Sequence, residues 1–136
     1  MKRLDLSNNA IVEIYAYTFF GPSKLSYLNL EGNRLTGMAE NAFLGLENNL
    51  RELNLKDNAF DSFPMSAVKI LKKLQSLNLA GNRVSNITID PFTRLESIRY
   101  LAIYSHFCLQ KLAHKCLVCS ENIFTCQKRG NLAFLL

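Results

Sequence analysis

The chain has 136 residues, 49% of them hydrophobic, and carries 16 Lys and Arg against 11 Asp and Glu for a net charge of +5. That apolar content can fill a core, and no run of about 18 apolar residues supplies a membrane-spanning helix. The charge does not mark a nucleic-acid binder: residues 1–97 are nearly neutral, with eleven basic against ten acidic residues, and the excess sits in Arg99, Lys111, Lys115, Lys128 and Arg129 against Glu121, without a basic stripe interleaved with stacking aromatics.

In chain order, one phrase keeps returning. It stands as Leu4-Asp5-Leu6-Ser7-Asn8-Asn9, then Leu28-Asn29-Leu30-Glu31-Gly32-Asn33, then Leu53-Asn54-Leu55-Lys56-Asp57-Asn58, then Leu77-Asn78-Leu79-Ala80-Gly81-Asn82, with a decayed fifth copy at Leu101-Ala102-Ile103. The leading leucines lie 24, 25, 24 and 24 residues apart. A fixed period of this length with L-x-x-L-x-L-x-x-N-x-L spacing is the leucine-rich-repeat signature. It predicts an α/β repeat fold: a right-handed, curved leucine-rich-repeat solenoid with a parallel sheet on its concave side. One short strand is expected at each of residues 3–7, 27–31, 52–56 and 76–80.

Within a copy Leu50, Leu53, Leu55 and Phe60 fall on the inward side of a short strand and its flanking turns, while Glu52, Asn54 and Lys56 point to the opposite face, because side chains alternate along the strand itself. A single repeat cannot bury its leucines, so neighbours must stack. Asn9, Asn33, Asn58 and Asn82 recur in register within an otherwise apolar column. A carboxamide donates and accepts at once, which lets a stacked asparagine ladder satisfy backbone groups freed where the chain leaves the strand. Further inward columns follow: Ile11, Leu35, Phe60 and Val84; Ile14, Met38, Phe63 and Ile87; Phe19, Phe43, Val68 and Phe92; Leu46, Leu71 and Leu95. Little more than a dozen residues remain to return along the outer side, which predicts extended segments and single helical turns there. Lys69, Lys72 and Lys73 fit the solvated edge of such a turn.

Two regions result: an array over residues 1–104, four full copies plus a degenerate fifth, and a divergent cysteine-containing tail over 105–136. The chain starts inside a repeat, Met1 standing where later copies have Leu25, Leu50 and Leu74, and it is expected to be a piece of a longer array or an incomplete gene model. All four cysteines, Cys108, Cys116, Cys119 and Cys126, lie in the tail with His106 and His114. Three readings stay open: a disulfide-stapled C-terminal cap, a zinc site built on the Cys116–Cys119 pair, or non-homologous sequence read through an exon boundary. No metal site is assigned, since a second C-x-x-C knuckle is missing.

The repeat spacing with an aromatic at its nineteenth position resembles the typical subfamily of leucine-rich repeats, which occurs mostly in extracellular and cell-surface proteins. Two stretches, from Ala42 through Leu55 and from Phe63 through Leu79, are similar to chaoptin-like cell-adhesion proteins. That resemblance implies a membrane-attached, glycosylated adhesion protein. The Asn86-Ile87-Thr88 triplet is an N-glycosylation acceptor at an outward-facing position, making Asn86 the candidate glycan site.

The expected function is a protein-binding module of an extracellular or cell-surface adhesion protein, with Tyr27, Asn29, Glu31, Glu52, Asn54, Lys56, Asn78, Tyr100 and Tyr104 on the concave face as candidate contacts. The alternatives are part of a Toll-type receptor ectodomain and an intracellular leucine-rich-repeat scaffold. The expected partner is a protein, a second copy of the chain included, rather than a nucleic acid or small molecule. No cofactor and no catalysis are expected, since none of the common nucleophile, zinc-hydrolase or phosphate-loop motifs occurs. A lipid-anchor signal needs a hydrophobic tail of about 10–20 residues, whereas Leu132 to Leu136 supplies five, so this chain by itself is not expected to be anchored.

Overall fold

The computed structural model describes residues 1–21, 23–84, 94–104, 118–120 and 123–127, with side chains described as far as Ile103. Each repeat contributes one strand: β1 at Arg3–Asp5, β2 at Tyr27–Asn29, β3 at Glu52–Asn54, β4 at Ser76–Leu79 and β5 at Tyr100–Tyr104. These pair in parallel in chain order, and Leu4, Leu28, Leu53, Leu77 and Leu101 stand opposite one another across the five strands. The chain is a leucine-rich-repeat solenoid, as its period implies.

Sequence periodicity ends at residue 104, but the sheet continues. Strands β6, Val118–Ser120, and β7, Ile123–Gln127, extend it in the order β1-β2-β3-β4-β5-β7-β6. β7 runs antiparallel to β5, with Ile103 opposite Phe124.

The first three strands are shorter than expected, ending at the fifth position of the repeat instead of the seventh. At that position a side-chain oxygen captures the N–H two residues on. Asp5 Oδ1 accepts from Ser7 at 2.9 Å, Asn29 Oδ1 from Glu31 at 3.1 Å, Asn54 Oδ1 from Lys56 at 3.0 Å and Asn78 Oδ1 from Ala80 at 2.9 Å. Such Asx turns bend the chain out of the strand. The eighth position then adopts a left-handed conformation in every full copy, at Asn8 (φ 55°), Gly32 (φ 69°), Asp57 (φ 53°) and Gly81 (φ 71°). Only glycine, or a short polar residue that bonds locally, enters that region at low cost.

Inside the sheet, Leu28, Leu30, Leu53, Leu55, Leu77 and Leu79 form two buried leucine columns. Each contributes roughly 1.5–3 kcal/mol by leaving water. Leu4 and Leu6 of the first repeat are only partly buried, having one neighbouring repeat. Among the described residues the outer side is built of turns and short helical pieces, with α1 at Met65–Val68 burying Ala67 and Val68. That agrees with the short return path.

The asparagine column lies at the edge of the core and links successive repeats. Asn33 Oδ1 accepts from the Ile11 N–H at 3.1 Å, while its amino group donates to the carbonyls of Leu6 and Leu30. Asn58 repeats the pattern with Leu35, Leu30 and Leu55, and Asn82 with Phe60, Leu55 and Leu79. Asn9 donates to Leu6 and Ser7 of its own repeat. Among the described residues, no buried side-chain nitrogen or oxygen lacks a partner.

Candidate protein-binding face

Alternation puts the third, fifth and seventh positions of every repeat on the face opposite the leucines. Strand register then lines the third positions up as Arg3, Tyr27, Glu52, Ser76 and Tyr100, and the fifth as Asp5, Asn29, Asn54, Asn78 and Ala102. Neighbouring members of a column are separated by one strand spacing, about 4.8 Å.

In the first three repeats several polar groups on this face pair with one another. The Arg3 guanidinium lies over the Tyr27 ring, 3.7 Å from its centroid. Glu31 accepts from the Asn54 amino group at 2.9 Å and meets the Lys56 ammonium at 3.8 Å. This ion pair is partly solvated and adds little stability, on the order of 0–1 kcal/mol. Hydrogen bonds from Ser7, then from the Asn29 amide, with the charge of Arg3 adding to them, hold the Asp5 carboxyl below the ordinary aspartate range.

Farther along, the face opens. Glu52 is exposed, and its carboxylate has no hydrogen-bond or ion-pair partner among the described residues. Ser76, Asn78 and Tyr100 are half-buried. The Ala80 N–H fixes the Asn78 carboxamide oxygen, so its amino group is the end left for a partner. Ala80 and Ala102 are buried and form a low floor.

Of the candidate contacts, Tyr27, Glu31, Glu52, Asn54, Lys56, Asn78 and Tyr100 have described side chains with at least partial exposure on this face. Asn29 stands in the column but is only 8% exposed, its carboxamide held between Asp5 and the Glu31 backbone. It belongs to the floor and is not available as a contact. Tyr104 lies in β5, and its side chain is outside the described residues, as are Asn86, Cys108 and Cys116 altogether. Cys119 and Cys126 fall in β6 and β7, with side chains likewise outside the description.

Sequence reading missed the Arg3–Tyr27 stack and the Glu31–Asn54–Lys56 cluster. The period carries the signal for both, since residues 24 or 25 apart become sheet neighbours. It also missed an aromatic group on the return segment of the first repeat. Tyr15 is 68% exposed, and Phe20, 69% exposed, meets Tyr17 edge-on at 6.0 Å. Tyr17 also adopts φ 65°, an uncommon conformation for a bulky residue. The later copies carry Asn41 and Leu44, then Ser66 and Lys69, at the Tyr17 and Phe20 positions, so the repeat itself does not require aromatics there.

Among the described residues no three His, Cys, Asp or Glu side chains converge as metal ligands. None of their helices is long and apolar enough to cross a membrane.

The leucine rich repeat family profile matches residues 1–58 and 48–105, and the chain belongs to that family. It is 35% identical over 99 residues, 73% of its length, to the human leucine-rich repeats and immunoglobulin-like domains protein 3. It is also 35% identical over 74 residues, 54% of its length, to chaoptin of Drosophila melanogaster. The matched segments span 9% and 6% of those two proteins.

Proposed function

We propose that this chain is a protein-binding module of an extracellular or cell-surface adhesion protein, with the partner held against the concave face. One observation carries the reading. The inward columns keep to leucine and its equivalents, whereas the aligned third positions run Arg3, Tyr27, Glu52, Ser76 and Tyr100. Stacking makes no demand on these outward residues, and their charge and aromatic variety is what a recognition surface uses. The similarity to chaoptin supports the adhesion assignment.

The test uses the full-length gene product in cultured cells. It should label at the cell surface, carry a glycan on Asn86 and promote cell aggregation. Charge reversal on the open part of the face, Glu52→Lys, should reduce aggregation, while Lys73→Glu on the outer edge should not. A product confined to the cytosol with Asn86 unmodified would overturn the location, and equal effects of the two substitutions would overturn the concave face as the contact surface.

A further inference from the structure

The third-position column contains its own example of how this face holds a cation. Arg3 and Tyr27 occupy adjacent strands in register, and the guanidinium of one lies 3.7 Å from the ring centroid of the other. A second tyrosine, Tyr100, stands in the same column, but its neighbour on β4 is Ser76, which is too short to cover the ring. Beyond Ser76 comes Glu52, exposed, its carboxylate without a partner among the described residues. A carboxylate and an aromatic ring thus face one another across a gap two strand spacings wide, about 9–10 Å, with a serine as its floor.

We infer that this gap, between Glu52 and Tyr100 over Ser76, is a slot for an arginine side chain presented by the protein partner. The inference rests on the concave-face reading above and specifies the partner's chemistry there. A guanidinium suits both walls: its flat face stacks on a tyrosine ring, and its edge offers two parallel N–H donors to a carboxylate. An ammonium gains the charge but loses the planar stack and the paired bond. Asn78 lies two residues along β4 from Ser76, about 6.6 Å away. With its oxygen held by the Ala80 N–H, its amino group is placed to donate to a backbone carbonyl next to the bound arginine. The cations nearest in sequence, Arg51 and Arg99, stand one residue before Glu52 and Tyr100, outside β3 and β5; both are exposed, and neither forms an ion pair with Glu52.

The probe is N-acetyl-arginine amide, titrated into the isotopically labelled chain and followed by backbone amide shifts, with N-acetyl-lysine amide as comparison. The expected result is saturable shifts centred on Glu52, Ser76 and Tyr100, with the arginine compound binding more tightly than the lysine one. Glu52→Gln, an exposed change that leaves the core untouched, should weaken arginine binding about fivefold, the upper scale of a solvent-exposed ion pair. Glu13→Gln, on the exposed return segment of the first repeat, should leave it unchanged. Shifts spread over all acidic residues, equal binding of the lysine compound, or no effect of Glu52→Gln would each overturn the slot. A partner that still docks on the concave face after such a result leaves the wider binding reading intact, whereas arginine selectivity with no concave partner would leave the slot and remove that reading.

Discussion

The Asn82 side-chain oxygen accepts the N–H of Phe60 at 3.0 Å, across 22 residues of sequence, so an asparagine of one repeat closes the turn of the repeat before it. Its amino group simultaneously reaches Leu55 in that earlier repeat and Leu79 in its own. With a longer bond to the Ala80 carbonyl at 3.3 Å, one polar residue thereby serves four backbone groups at the margin of an apolar core.

Asn58 and Asn9 should therefore differ in importance. Asn58→Leu leaves the Leu35 N–H and the side-chain bonds to Leu30 and Leu55 unmade. The expected loss is about 1–3 kcal/mol. Asn9 serves only Leu6 and Ser7 within its own exposed turn, so Asn9→Leu should cost less. Urea unfolding midpoints of the two variants give the comparison. Equal shifts would mean that bridging between repeats contributes nothing.

Gly81 offers a test of the left-handed turn. A Cβ there would collide with the side-chain oxygen of Asp57, and the backbone sits at φ 71°. Gly81→Ala should destabilise the chain through both effects. Adding Asp57→Gly removes the collision but not the backbone strain, roughly 1–2 kcal/mol for an L-residue in this region. The double-mutant cycle should show partial recovery, the double variant being less destabilised than the sum of the two single ones. Strict additivity would place the whole cost in the backbone.

Burial ranks the leucines. Leu30 is fully buried, and Leu30→Ala should cost about 2–5 kcal/mol. Leu6 holds the same position in the first repeat and is only partly buried, so Leu6→Ala should cost clearly less. Amide exchange should show the same gradient, with the Leu30 and Leu55 amides protected more than that of Leu6.

Asp5 should titrate below the ordinary aspartate range, with hydrogen bonds from Ser7 as the largest cause. The folded pKa is depressed, so this stabilising effect is present above the unfolded value and is lost as pH falls through the folded one. Carboxyl carbon shifts followed through the acid range report the midpoint directly. Ser7→Ala should raise that midpoint, and by more than Arg3→Leu does, because the hydrogen bond outweighs the exposed charge.

Much of the architecture was legible before any coordinates. A period of 24 or 25 residues places each leading leucine beside the next, and the strand register follows that spacing residue for residue. The same spacing predicts the inward columns and leaves too little chain for long outer helices, and α1 is a single turn. Where each strand stops was not legible, because the Asx turns depend on the rotamer of the fifth-position side chain. Neither was the burial of Asn29, which its neighbours Asp5 and Glu31 enclose.

By itself, then, the sequence determined the solenoid, its register and its core, because stacking burial acts identically on every repeat and leaves a periodic record. Only the tertiary structure decided which face charges are used internally, that the Glu52 carboxylate stays unpaired among the described residues, and that β7 joins β5 antiparallel beyond the last repeat. Those outcomes turn on side-chain reach and on one non-periodic strand pairing. Neither repeats along the chain, so neither leaves a pattern to read.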